Sequence, residues 1–131
     1  MKGILRGDDA VGAMEYGANG VIVSNHGGRQ LDGAIATIDA LEEVVTTVGN
    51  QLHILMDGGI RRGTDILKAL ALGAKAILIG RPILWGLAVG VSQGVRHVIE
   101  LLRDELELAM TLSGCATVQD IDSSLVKRRN S

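Results

Sequence analysis

In the stretch Ser24-Asn25-His26-Gly27-Gly28-Arg29 an imidazole and a guanidinium stand three positions apart, with two glycines between them. A neutral imidazole accepts a proton near neutral pH, and a guanidinium holds a carboxylate in a fixed two-pronged geometry. Together they suit a small 2-hydroxy acid, its carboxylate on Arg29 and its hydroxyl on His26. Most isolated histidines are structural, and that default applies to His53 at a strand start and His97 on a helix. His26 differs in its neighbours.

Two further loops carry glycine beside arginine: Asp57-Gly58-Gly59-Ile60-Arg61 and Gly80-Arg81-Pro82. Glycine lets backbone N–H groups come close to an anion, helix N-termini add positive potential, and arginine chelates oxygens. The alternative is that the glycines are tight turns and the arginines solvated. Two such loops one strand-helix unit apart favour a phosphate cradle. No metal site is expected.

These groups need elements to position them. The apolar runs 20–23, 52–56 and 76–79 read as buried strands, and every candidate group follows one of them. Helical patterns lie between: 8–15, 36–48 with Thr37 near its cap, 64–72 stopped by Gly73, and a long one from about Gln93 to Leu112. On the last, Val95, Val98, Ile99, Leu102, Leu106 and Ala109 form the apolar stripe. Residues 117–125 predict a final short helix. Strand and helix alternate, so the class is α/β with a parallel sheet, whose strand ends open on one ligand-binding face. A repeat supports a barrel of such units: Gly7, Asp9, Ala13, Gly17 and Ala18 recur at constant offset as Gly63, Asp65, Ala69, Gly73 and Ala74. In that register Lys2-Gly3-Ile4 falls just past the end of a strand, so three whole strands are expected.

With 131 residues, 47% of them apolar, the chain is long enough for one packed domain. A net charge of -2 gives no reason to expect nucleic acid or an anionic membrane as partner. One cysteine, Cys115, excludes an internal disulfide and fits a reducing compartment. No apolar run reaches the ~18 residues of a membrane span, and no signal-peptide core opens the chain. The expectation is a soluble intracellular protein, peroxisomal or cytoplasmic, whose basic tail from Lys127 to Ser131 lacks the terminal Ser-Lys-Leu peroxisomal address.

The run SNHGGRQLD at 24–32 resembles the active-site signature of the FMN-dependent 2-hydroxy acid oxidases and dehydrogenases. KGIL at 2–5, DGGIRRGTD at 57–65, KALALGA at 68–74, IGRP at 79–82 and TLSGC at 111–115 extend the resemblance over nearly the whole chain. It implies the C-terminal half of a (β/α)8 TIM barrel, from the end of the fifth strand through the last helix, as a single partial domain over 1–131. The cofactor would be FMN, and the reaction (S)-2-hydroxy acid to 2-oxo acid with O2 as acceptor and H2O2 as product. By this resemblance His26 is the base, removing the hydroxyl proton or, in the carbanion version, the α-proton. Arg29 clamps the carboxylate. Lys2 lies by the N1–C2=O edge of the flavin and Ser24 also contacts the cofactor. Asp57 binds the ribityl chain, while Gly58, Gly59, Arg61, Gly80 and Arg81 hold the phosphate.

The resemblance also implies two active-site tyrosines and a histidine-orienting aspartate in the other half of the barrel. Tyr16 matches neither tyrosine. A (β/α)8 barrel needs at least ~200 residues, so the chain is expected to self-associate or to pair with an N-terminal half-barrel, and alone to be incomplete for catalysis. Two rival readings are an FMN- or phosphate-binding half-barrel without turnover and a self-associating module. A third, an unrelated phosphate-binding barrel, leaves His26 beside Arg29 unexplained.

Overall fold

A computed structural model describes residues 1–127; all of the basic tail but Lys127 lies outside them. Four strands, β1 (Lys2–Ile4), β2 (Gly20–Val23), β3 (His53–Asp57) and β4 (Ala76–Leu78), form one parallel sheet in the order β1-β2-β3-β4. Each is followed by a helix: α1 (Gly7–Glu15), α2 (Thr37–Val48), α3 (Gly63–Ala71) and α4 (Arg81–Leu112). Every strand lies beside its predecessor. A doubly wound sheet reverses its order at a switch point, whereas an arc of a barrel does not.

The strand β1 corrects the expectation that the chain starts past a strand end. Lys2 pairs with Ile22 and Ile4 with Val23, with an irregular register between them. The Ile22 N–H donates to the Met1 carbonyl at 2.8 Å and the Ser24 N–H to that of Ile4 at 3.1 Å. Gly3 sits at φ 97 within this short ladder, a conformation open to glycine and foreign to a regular strand.

Burial alternates along β2 and β3. Val21, Val23, Ile54 and Met56 are at most 2% exposed and pack under Ala40, Leu41, Val44 and Val48 of α2. Ile22 and Leu55, on the opposite face, are only half-buried. Full burial of such a side chain is worth about 1.5–3 kcal/mol, so the helix-covered face supplies most of the stabilisation. The expectation of buried strands, which in a parallel sheet means cover on both faces, holds for that face alone.

The repeated glycines begin and end helices. The Gly7 N–H donates to Glu43 Oε1 on α2 at 2.8 Å, and the Gly63 N–H to Glu105 Oε2 on α4 at 2.7 Å. A neighbouring helix thus satisfies an orphan donor at each N-terminus. A Cβ at Gly7 would strike the Thr47 side chain, and one at Gly63 the backbone at Leu106. At the other ends, Ala18 N–H donates to the Ala13 carbonyl and Ala74 N–H to that of Ala69, with Gly17 and Gly73 at φ 85 and 103. These are Schellman stops.

Helix α4 starts at Arg81, twelve residues before the expected Gln93, and breaks at Gly90 and Val91. Its two arms cross where Gly86 meets Gly94; a Cβ on Gly86 would lie 2.6 Å from the Gly94 carbonyl oxygen. In the second arm Leu102 is buried and Val98 and Leu106 pack on the core as expected, but Ile99 is 54% exposed. Residues 117–125 form two 3-10 turns, Val118–Asp120 and Ser123–Leu125, rather than a helix. Ile121 between them is anchored with Leu67, Ala71 and Cys115 in a small second core, which fixes the segment against α3 instead of letting it coil freely. No helix among the described residues is long and apolar enough to cross a membrane.

Candidate active site

The carboxyl ends of β2, β3 and β4, with Lys2 from the start of β1, meet at one cleft of about 580 Å³, inside the roughly 300–1,000 Å³ span of small-molecule and cofactor sites. Lys2, His26, Arg29, Asp57, Gly58, Gly59, Arg61, Gly80 and Arg81 line it, joined by Leu78 and Leu84. Of the site residues expected from sequence, Ser24 alone is not on its wall. Its side chain is buried just behind, at 2% exposure.

Lys2 ties the strand ends together. Its Nζ lies 2.7 Å from Asp57 Oδ2 and donates to Ser24 Oγ at 2.7 Å. Strands sit about 4.8 Å apart, so the lysine on β1 spans β2, over Ser24, to reach β3. The Lys2 side chain stays 45% exposed and that of Asp57 18%, and both line the cleft. Ser24 Oγ also accepts the backbone N–H of His26 at 3.2 Å.

His26, Gly27 and Gly28 follow in succession at φ 55, 67 and 72. Glycine adopts this left-handed region freely, and histidine does so at some cost. The turn satisfies its own donors. Gly27 N–H donates to Asn25 Oδ1 at 3.0 Å, Gly28 N–H to the Asn25 carbonyl at 3.0 Å and Arg29 N–H to that of His26 at 3.4 Å. Its amides are therefore not an anion cradle. What it offers is two exposed side chains, His26 and Arg29.

The glycine-arginine loops differ. Gly58 and Gly59 turn the chain at φ 91 and 75. Added Cβ atoms at Gly59 and Gly80 would meet nothing within 4 Å, so that space is open to a ligand. Among the described residues, the N–H groups of Gly59, Ile60 and Arg81 enter none of the turn or cap hydrogen bonds. Arg81, first residue of α4, lies over Gly27, and a Cβ there would be 3.3 Å from its Nη2. Its guanidinium forms no ion pair or side-chain hydrogen bond among the described residues. Arg61 is differently engaged: its guanidinium rests 5.0 Å from the Trp85 ring centroid and Nη1 donates to the Ile60 carbonyl.

Charge follows the geometry. Lys2, Arg29, Arg61 and Arg81 face Asp57 alone, so a chain of net charge -2 carries a cleft with three positive charges in excess. Such a cleft takes an anion, and the free N–H groups, open glycines and Arg81 fit the phosphate end of a mononucleotide. No group of three or more His, Cys, Asp or Glu that could hold a metal occurs among the described residues.

Sequence reasoning passed over Asn25 and the full part of Thr37. The Thr37 hydroxyl is buried and donates to the Gly58 carbonyl at 3.4 Å instead of capping α2. Asparagine two residues before a glycine is an Asx-turn signal and marks Asn25. Nothing local marks Thr37, because its partner lies in the turn after β3, twenty-one residues on.

Residues 1–128 match the family model of FMN-dependent dehydrogenase. The chain belongs to that family. It is 66% identical over 126 residues to an L-lactate oxidase of Nostoc sp., covering 96% of this chain and 34% of that protein. It is 56% identical over 130 residues to a peroxisomal (S)-2-hydroxyacid oxidase of Arabidopsis thaliana, covering 99% and 36%. A structure of a mandelate oxidase mutant with the monooxide FMN adduct superposes at TM-score 0.87 and 53% identity, covering 90% of this chain and 38% of that one. The chain spans about a third of the length of the curated relatives it matches. Its parallel strands and flanking helices are part of the TIM barrel of the FMN-dependent dehydrogenases, and FMN is the cofactor of that family.

Proposed function

We propose that this chain supplies the phosphate-holding and proton-accepting side of an FMN-dependent 2-hydroxy acid oxidase. The observation that carries the reading is the convergence of His26, Arg29, Lys2 and Arg81 on one cationic cleft. Gly59, Gly80 and Arg81 hold the FMN phosphate, joined by Gly58 and by Arg61 if it leaves Trp85. Asp57 and Ser24 set the Lys2 ammonium where charge on the ring is to be met. When bound, FMN supplies the two-electron acceptor.

The chain's own residues do the rest. Arg29 receives the substrate carboxylate in paired charged hydrogen bonds. His26 accepts the hydroxyl proton while the hydrogen on the α-carbon leaves with its electron pair, or it takes the α-proton first. Either order yields the 2-oxo acid, two electrons and two protons. Lys2 offsets the negative charge that accompanies the electrons, and O2 takes them up to give H2O2. The inner face of the sheet, with Ile22 and Leu55 half-buried, is covered by a second copy or by an N-terminal half-barrel. The peroxisome is the proposed location, by likeness to the Arabidopsis relative.

The open inner face favours one alternative: FMN binding with little or no turnover by this chain alone. Loading the chain with FMN and adding L-lactate or glycolate without O2 separates the two. Bleaching of the flavin's visible absorbance, followed by peroxide on admitting air, supports oxidation. Flavin that is retained but stays oxidised supports binding alone. Failure to retain flavin, with or without an added N-terminal half-barrel from a relative, overturns both.

A further inference from the structure

His26 and Arg29 are both exposed and form no side-chain hydrogen bond among the described residues. Their aim depends on the loop that carries them, which runs from Ser24 to Thr37. Within it His26 holds φ 55, and a non-glycine residue keeps such a conformation only where its surroundings over-determine it.

One side chain reaches both limbs of that loop. Asn25 Oδ1 accepts the Gly27 N–H at 3.0 Å, and Asn25 Nδ2 donates to the Ile35 carbonyl at 3.1 Å, ten residues on. The first bond fixes the left-handed turn at His26 and the second closes the loop across its neck. Beside it Thr37 anchors the far limb to Gly58. The fit is close: a Cβ on Gly58 would come within 3.5 Å of Asn25 Oδ1 and 2.9 Å of Thr37 Oγ1.

We propose that Asn25 is a positioning residue of this site, its side-chain amide clamping Gly27 to Ile35 so that the loop presents His26 and Arg29 together to the substrate. The importance of this aim for chemistry rests on the function proposed above; the clamp itself does not. Only a side chain with acceptor and donor on one planar group serves both limbs. Aspartate keeps the acceptor and loses the donor, and alanine loses both.

The test uses the whole chain and three variants: Asn25→Ala, Asn25→Asp, and the core substitution Val48→Ala as a control for general loss of stability. Amide hydrogen exchange is read at Gly27, Gly28 and Arg29, and the His26 ring resonances are followed by NMR. In Asn25→Ala the three amides should exchange about five- to tenfold faster, the factor that one neutral hydrogen bond represents. The His26 signals should move toward those of an unstructured peptide. Asn25→Asp should restore protection at Gly27 while the 31–36 limb still loosens. Val48→Ala should lower the unfolding temperature without moving the His26 signals. The clamp is overturned if Asn25→Ala leaves the loop amides unchanged, if Val48→Ala shifts His26 as much, or if aspartate fails to rescue Gly27. A loop that loosens as described in a chain that never bleaches flavin would sink the oxidase reading and leave the clamp standing.

Discussion

Replacing Arg81 by alanine isolates the phosphate end of the site. The guanidinium lies over Gly27 and has no internal hydrogen bond or ion pair among the described residues, so its removal costs the fold little. If it holds the FMN phosphate, the loss is one or two charged hydrogen bonds, about 1.5–3 kcal/mol. That converts to roughly a 10- to 150-fold weaker Kd. Titration of the chain with FMN, following flavin fluorescence, gives the ratio directly, and riboflavin supplies the internal comparison. Riboflavin shares the ring and ribityl chain but has no phosphate, so its affinity should be equal in parent and variant. Equal weakening of both ligands would mean that Arg81 acts through the shape of the cleft. Unchanged FMN affinity would place the phosphate elsewhere. Either result refutes the cradle assigned here.

Other expectations concern the frame around the site. Gly94→Ala drives a Cβ into the Gly86 backbone where the arms of α4 cross, and should cost about 1–3 kcal/mol in denaturant unfolding; Gly90→Ala, with nothing within 4 Å, should be far milder. Val91 holds φ 49 and ψ -133 while 69% exposed, so Val91→Gly should raise stability by about 1 kcal/mol, backbone strain relieved less the entropy of the added glycine. The unpaired edges of β1 and β4 and the uncovered inner face should drive the chain into dimers, larger species or poorly soluble material. A compact, strictly monomeric species in sedimentation at micromolar concentration would refute that.

The strands β2, β3 and β4 were legible because apolar runs end in residues that carry chemistry. Those ends located the cleft, whose wall includes every expected residue but the buried Ser24. What stayed hidden has physical causes. Lys2-Gly3-Ile4 is too short, and Gly3 too unlike a strand residue, for a pattern to register; only its pairing with β2 makes it a strand. Gly86 and Gly90 lower helix propensity in the first arm of α4, and the reason for Gly86, its contact with Gly94, is tertiary. An apolar run states that both sheet faces favour burial and is silent on whether both have found a cover. Arg61 illustrates the same limit at one residue: its type suits phosphate, yet Trp85, beyond the next strand, competes for its guanidinium.

The two glutamates that satisfy helix starts bear on how the chain can be divided. Glu43 belongs to α2 and serves α1; Glu105 belongs to α4 and serves α3. Each cap is supplied by the next strand-helix unit, so a unit excised alone would lose either its own cap or its neighbour's use for one. The smallest piece that keeps both a helix start and the glutamate that satisfies it is therefore a pair of units. The seam between the two pairs falls in the exposed turn Gly49–Gln51, where a cut, a permuted terminus or an inserted domain would leave both glutamates at their posts. The same change placed between α1 and α2 would strip a buried N–H of its partner.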